Sequence, residues 1–185
     1  MYNDQELVRM TLKGHKDSFD EIVMRYSGKV YNLSLRMLRN PANAEDLTQE
    51  AFLRAYRSLD TYNPAYPFLN WLLKITSNLC IDRLRRERDV SFTETDETLD
   101  FKSQETYPDP ENAVLYNEKL TEIEKVLVSL PPRYQLVLVL RFVEDLKYEQ
   151  IAEILEAPIG TVKTQIHRAR KLIKERYFSL NSKSV

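Results

Sequence analysis

The stretch "LKYEQIAEILEAPIGTVKTQIHRARKLIKERY", residues 146 to 177, decides how this chain is read. Ile151, Ala152, Ile154 and Leu155 give its first part the apolar face of a short helix, and "EAP" at 156–158 breaks that helix before a second begins. At about 100° per residue, Val162, Ile166, Ala169 and Ile173 fall on one face of the second helix. Thr164, His167, Lys171 and Lys174 point the opposite way, with Lys163 and Arg168 on the flanks. Two helices joined by a short turn, with the small Ala152 where backbones must approach, form a helix-turn-helix pattern. The first helix is acidic through Glu149, Glu153 and Glu156, and the second is basic, so positive charge gathers where a DNA major groove would receive it. Taken alone, the segment also fits an amphipathic hairpin with a solvated basic face.

The rest of the chain is not basic. Its 185 residues carry a formal net charge of -1, which hides two basic ends and an acidic middle. Residues 1–90 hold fourteen Lys and Arg against twelve Asp and Glu, residues 91–115 hold one against seven, and residues 116–185 hold twelve against nine. The middle, "SFTETDETLDFKSQETYPDPENAVL", has no helical apolar period and contains Pro108 and Pro110, so it reads as an exposed linker between two small domains. The other reading is a long surface loop within one domain, an uncommon feature of compact folds. A 43% hydrophobic content suffices for packed cores. No apolar run approaches a membrane span and the N-terminus lacks the pattern of an export signal. The single cysteine, Cys80, cannot form an internal disulfide. These features fit a cytoplasmic protein.

Upstream of the linker the periodicity is helical. In "DSFDEIVMRYSGKVYNLSLRML", Phe19, Ile22, Val23, Tyr26, Val30, Leu33, Met37 and Leu38 recur at helical spacing. Asn40 then offers an N-cap and Pro41 a first helical residue, and Ala44, Leu47, Ala51, Ala55 and Leu59 continue on one stripe. The turn "DTYNPAYP" precedes a third long helix, "FLNWLLKITSNLCIDRLRRER". A strand is arguable only at "QLVLVLRFV", whose neighbours on both sides are helical in pattern. The expected fold is all-α, with two small helical domains at 1–90 and 116–180 joined by the acidic linker 91–115.

Two faces of the first domain suggest partners. Opposite Ala51, the helix from Pro41 carries Asp46, Gln49, Glu50, Leu53 and Arg57, an acidic patch around an apolar residue that suits a protein better than DNA. On the third long helix, Trp71, Lys74, Asn78, Asp82 and Arg85 share a stripe while Phe68, Leu72, Thr76, Leu79 and Cys80 face elsewhere, into the core. Aromatic, amide and cationic groups in one row can stack on and hydrogen-bond unpaired bases, with Tyr62 and Tyr66 in the preceding loop. A tryptophan that merely anchors a small core is the plain alternative for Trp71.

The stretches "NPANAEDLTQEAFLRAYRSLDTY", "FLNWLLKITSNLCIDRLRR" and, after the linker, "LPPRYQLVLVLRFVEDLKYEQIAEILEAPIGTVKTQIHRARKLIKE" resemble the extracytoplasmic-function sigma factors of bacteria, from Asp4 to about Arg176 in the family's order and spacing. The resemblance implies sigma domains 2 and 4, which join the RNA polymerase core and direct it to promoter DNA. It implies that Asp46, Gln49, Glu50 and Leu53 dock on the β′ clamp helices, with the β flap as a second core contact. It implies that Tyr62, Asn63, Tyr66, Phe68, Trp71, Lys74 and Asn78 capture the opened minus-ten strand. The minus-thirty-five duplex would be read by Thr161, Lys163, Thr164, His167, Arg168, Arg170 and Lys171, with Arg141, Tyr148 and Glu149 at neighbouring contact positions. The position held by His167 varies in the family, and a neutral imidazole both accepts and donates, so the preferred base triplet does not transfer. An anti-sigma protein, often membrane-anchored, is also implied.

An enzyme is not expected. His15 and His167 have no partners in sequence, Cys80 falls on an apolar face, and no metal spacing or nucleophile motif occurs, so neither cofactor nor small-molecule substrate is expected. The alternative to a sigma factor is a helix-turn-helix repressor or activator that works without polymerase, which would leave the acidic patch and the Trp71 stripe without purpose.

Overall fold

The computed structural model describes residues 2–93, 126, 127 and 129–181, and among these there is no strand. The expected linker lies, from residue 94 onward, outside the described residues. Four α-helices precede it: α1 (Asp4–Leu12), α2 (Asp17–Leu38), α3 (Pro41–Arg57) and α4 (Phe68–Thr93), with a short 3-10 turn at Leu59–Thr61. Among the described residues, the helices with defined bounds that follow are α5 (Pro132–Leu138), which runs on as a π-helical turn over Val139–Val143, α6 (Tyr148–Leu155) and α7 (Ile159–Asn181). The apolar run "QLVLVLRFV" is therefore helical, and α4 continues past residue 90 to Thr93.

Local chemistry accounts for the boundaries. Asn40 caps α3 by accepting from the Asn43 backbone N–H at 3.0 Å, and Pro41 opens the helix at no hydrogen-bond cost. Asn3 caps α1 reciprocally with Glu6, at 2.9 Å and 2.8 Å. The sequence reading did not include α1, whose signals are that capping pair and the short apolar set Leu7, Val8, Met10 and Leu12, of which only the first two are buried. Arg39 ends α2 and Glu156 ends α6 in the left-handed region, at φ of 54° and 48°. A non-glycine residue there is strained, so each sharp turn is held by its surroundings.

The stripes read from the sequence meet in the core. Phe19, Ile22, Val30, Leu33 and Met37 of α2 are buried with Ala44, Leu47, Ala51 and Ala55 of α3 and with Phe68, Leu72, Thr76, Leu79 and Cys80 of α4. Each fully buried Leu or Ile contributes roughly 1.5–3 kcal/mol of transfer free energy. Phe19 meets Phe52 and Tyr56 edge-on, the latter at 5.0 Å between centroids. In the second unit Leu136, Leu140, Ile151, Val162, Ile166 and Ala169 are buried together. The two units also touch: α6 packs on α4, and the π-helical turn reaches α2.

Cys80 is buried beside Ser34, and burial pushes its thiol up to about 12. The thiolate is the reactive form. Native protein is therefore expected to resist iodoacetamide at pH 8, with prompt modification in denaturant; rapid alkylation of the native chain would contradict this packing.

Candidate nucleic-acid and protein interfaces

The outer face of α3 carries the first site. With Ala44, Leu47, Ala51 and Ala55 turned inward, Asp46, Gln49, Glu50 and Leu53 are all exposed, Leu53 to 57%. Glu50 accepts from Arg54 one turn later at 2.6 Å, both side chains half exposed, so the pair can rearrange when a partner arrives. The face offers carboxylates and an amide around one apolar residue. That composition suits a protein surface.

The second site is built from the loop at residues 62–67 and the start of α4. Tyr62 is turned inward, where its ring meets Phe68 at 5.2 Å and Trp71 at 5.7 Å, and its hydroxyl donates to the Tyr66 carbonyl at 2.8 Å. Burial raises its phenol above the ordinary value. Asn63 accepts from the Ala65 N–H through its side chain at 3.0 Å, leaving Tyr66 half exposed at the tip. From α1, Gln5 donates to the Pro64 carbonyl at 2.8 Å and pins the other side. Asp4, beside it, accepts from Arg25 and Tyr26 of α2, and desolvation together with that bond pushes the Tyr26 phenol up to about 12. Between α1 and the loop lies a cleft of about 480 Å³ lined by Asn3, Gln5, Tyr62, Pro64, Tyr66 and Phe68, among others.

Along α4, Trp71 is half buried, Lys74 partly exposed and Asn78 exposed, on one face as the spacing predicts. Phe68 is different. Expected both in the core and at the strand-facing surface, it is 1% exposed and its ring packs against Tyr62 and Trp71. The Lys74 ammonium donates to Glu156, the residue that caps the end of α6, at 2.6 Å. Asn70, one turn earlier and 4% exposed, donates to Glu153 at 2.8 Å.

The third site is the outer face of α7. Pro158 accepts from the backbone N–H groups of Thr161 and Val162 to start the helix. With Val162, Ile166 and Ala169 buried, Thr161, Lys163, Thr164, His167, Arg168, Arg170 and Lys171 are all exposed. Thr164 donates to the Gly160 carbonyl at 2.8 Å, and Lys171 lies 3.7 Å from Glu175. Glu149 is exposed on α6. Arg141 serves the turn: it donates to the Leu146 carbonyl at 3.2 Å and to Asp145 at 3.1 Å, while its guanidinium lies over the Tyr148 ring. The sequence reading passed over Arg133, an exposed cation from α5 that lines a cleft with Gly160, Thr161, Thr164 and Arg168. Its signal, a lone arginine after two prolines, carries no periodicity.

Among the described residues no helix is long and apolar enough to cross a membrane, and no group of three His, Cys, Asp or Glu could hold a metal ion.

Comparison with known proteins bears on both halves of the chain. The family model for sigma-70 region 2 matches residues 22–90, and that for sigma-70 region 4 matches residues 120–173. The chain is 38% identical over 174 residues to the ECF RNA polymerase sigma factor SigW of Bacillus subtilis, covering 91% of this chain and 93% of that protein. It is 34% identical over 176 residues to the ECF RNA polymerase sigma-E factor of Escherichia coli, covering 92% of each. Among solved structures, CnrH in complex with the cytosolic domain of CnrY matches with a TM-score of 0.67 at 20% identity, over 93% of this chain and 95% of that one. RpoE from Bartonella quintana, in complex with the anti-sigma factor NepR, matches with a TM-score of 0.64 at 22% identity, over 85% and 95%. At such identities the structural likeness speaks to the fold.

Proposed function

This chain belongs to the extracytoplasmic-function sigma factors of bacterial RNA polymerase, and on that premise we propose which of its surfaces performs each step. Its function is to join the polymerase core and direct transcription initiation at promoters. In our reading residues 1–90 act as sigma domain 2 and residues 116–180 as sigma domain 4, with 91–115 as the connection. Asp46, Gln49, Glu50 and Leu53 dock on the β′ clamp helices, and the second domain meets the β flap. The α7 face reads the minus-thirty-five duplex. Lys163, His167 and Arg168 approach base edges, and Arg170, Lys171 and the newly noted Arg133 neutralise phosphates. Arg141 and Tyr148 contribute through the turn they brace.

The observation that carries this reading is that one chain exposes both a basic recognition helix and an acidic, partly apolar α3 face pointing to a second partner. A helix-turn-helix regulator working without polymerase has no use for the second. RNA synthesis is the polymerase's chemistry, and in this reading the chain supplies no catalytic group and takes no cofactor. CnrH and RpoE were each solved with a bound protein partner, and we propose an anti-sigma protein as a third partner of this chain.

Strand capture is assigned to the loop and the α4 row. An unpaired base needs stacking and edge contacts to replace those lost on leaving the duplex, and Tyr66, Trp71, Asn63 and Asn78 offer both. Asn78→Ala is the clean test, because Asn78 is exposed and the fold does not depend on it. The Asn78→Ala holoenzyme is expected to locate promoters normally but to open them poorly, with reduced permanganate reactivity of minus-ten thymines. Transcription from a pre-melted template should recover. Wild-type reactivity would remove Asn78 from strand capture.

A further inference from the structure

The loop that carries Tyr62, Asn63 and Tyr66 is hydrogen-bonded chiefly to itself. Tyr66 donates its N–H to the Asn63 carbonyl at 3.2 Å, Ala65 donates to the Asn63 side chain at 3.0 Å, and the Tyr62 hydroxyl closes on the Tyr66 carbonyl at 2.8 Å. Such bonds shape a loop without fixing where its tip lies on the protein. Among the described residues, the hydrogen bond that ties residues 63–66 to a separate helix is the one Gln5 of α1 donates to the Pro64 carbonyl, at 2.8 Å and across 59 residues of sequence.

α1 is itself firmly held. Its first turn is ordered by the reciprocal cap of Asn3 and Glu6, and Leu7 and Val8 are buried. Asp4, next to Gln5, accepts from Arg25 and Tyr26 of α2. The Tyr26 ring lies 5.8 Å from that of Phe68, which packs in turn on Tyr62 and Trp71. The helix that holds the loop's tip is therefore anchored to the same aromatic group on which the loop's base rests. Asn3, Asp4 and Gln5 line one side of the cleft of about 480 Å³, and Tyr62, Pro64 and Tyr66 line the other, so the Gln5 bond spans its two walls. Gln5 is exposed, and the core does not depend on it.

We propose that Gln5 is a positioning residue for strand capture: through it α1 presets the loop, and the spacing of the cleft's walls, before an unpaired base arrives. The reason is entropic. A surface loop that samples several placements must be ordered when it binds, at a cost in affinity, and a loop already held in one placement avoids that cost. Gln5 acts through the loop; stacking and edge contacts to the base come from Tyr66, Trp71 and Asn63.

The inference rests on the assignment of this loop and the α4 row to strand capture, and the experiment separates the two. Its first reading is amide hydrogen exchange in the free full-length chain. In Gln5→Ala, exchange at Ala65 and Tyr66 is expected to speed up about fivefold, the change that one net hydrogen bond amounts to, with the amides of α2, α3 and α4 unaffected. A contribution to overall stability would speed exchange in those helices too, and a direct contact with DNA would leave the free chain unchanged. Gln5→Lys, which keeps a donor, should keep the slow exchange. The second reading is permanganate reactivity of minus-ten thymines on a supercoiled promoter, at a temperature where wild-type holoenzyme has opened half of it. Gln5→Ala should lower the opening equilibrium about fivefold while core affinity and minus-thirty-five binding stay at wild-type values. Wild-type exchange at Ala65 and Tyr66, or wild-type opening by Gln5→Ala where Asn78→Ala is defective, would overturn the proposal. Normal opening by both variants would overturn the strand-capture assignment and the proposal with it.

Discussion

Replacing Asp46 and Glu50 together with lysine is expected to weaken binding to core RNA polymerase by at least about thirtyfold while leaving the helical circular dichroism spectrum intact. The fold should survive because neither carboxylate supports it. Both are exposed, and the side of α3 that holds the helix in place is Ala44, Leu47, Ala51 and Ala55. Glu50 gives up only an exposed pair with Arg54, which contributes little to stability. At an interface the balance differs. Truncating one member of a buried charged contact costs about 2 kcal/mol or more, and reversal adds repulsion from the group left behind. Leu53, 57% exposed in the free chain, gains burial in the same contact. Fluorescence titration of labelled protein with core enzyme reads the affinity directly. Unchanged affinity in the folded double variant would remove this face from core binding.

The second large effect is expected on α7. Lys163→Ala and Arg168→Ala should each weaken holoenzyme binding to a matched minus-thirty-five element, by about 1–3 kcal/mol where a base contact is lost. Both side chains are exposed beside a helix face whose inward residues, Val162, Ile166 and Ala169, are buried, so truncation removes a contact without opening a cavity. The comparison needs a scrambled element and a salt series. A residue that reads a base loses affinity only on the matched sequence. One that touches phosphate weakens both alike and reduces the salt slope by about one. Arg133, beside Thr164 and Arg168 in the same cleft, belongs to the second class in this account. Normal binding by both variants would take α7 out of promoter recognition.

Much of the fold could be read in advance because helical periodicity reports which side of each helix is apolar. The inward stripes of α2, α3 and α4, the Asn40 cap and the break at "EAP" lie where the spacing puts them. α1 escaped because two buried apolar residues, adjacent in sequence, and a capping pair are too short a pattern to stand out from a polar terminus. Its contribution matters, since Gln5 holds the loop through the Pro64 carbonyl and Asp4 is tied to Arg25 and Tyr26. Phe68 illustrates the limit of assigning roles by position: one residue from the loop and three from Trp71, it is the floor of the site. The contacts of Asn70 with Glu153 and of Lys74 with Glu156 were beyond reach for a different reason. Periodicity says that a helix has an exposed polar face; it carries no information on which distant helix that face will meet.

Promoter specificity is what this chain confers on a polymerase that lacks it. Run-off transcription tests it most directly, with a bacterial core enzyme and a supercoiled template library carrying candidate promoters. Core alone, or the chain alone, should yield no discrete product, and the two together should yield transcripts starting a fixed distance downstream of a shared pair of minus-thirty-five and minus-ten sequences. A chain that binds those sequences on its own yet gives no start-site-specific transcript with any bacterial core would contradict the account and identify a regulator that works without joining the enzyme.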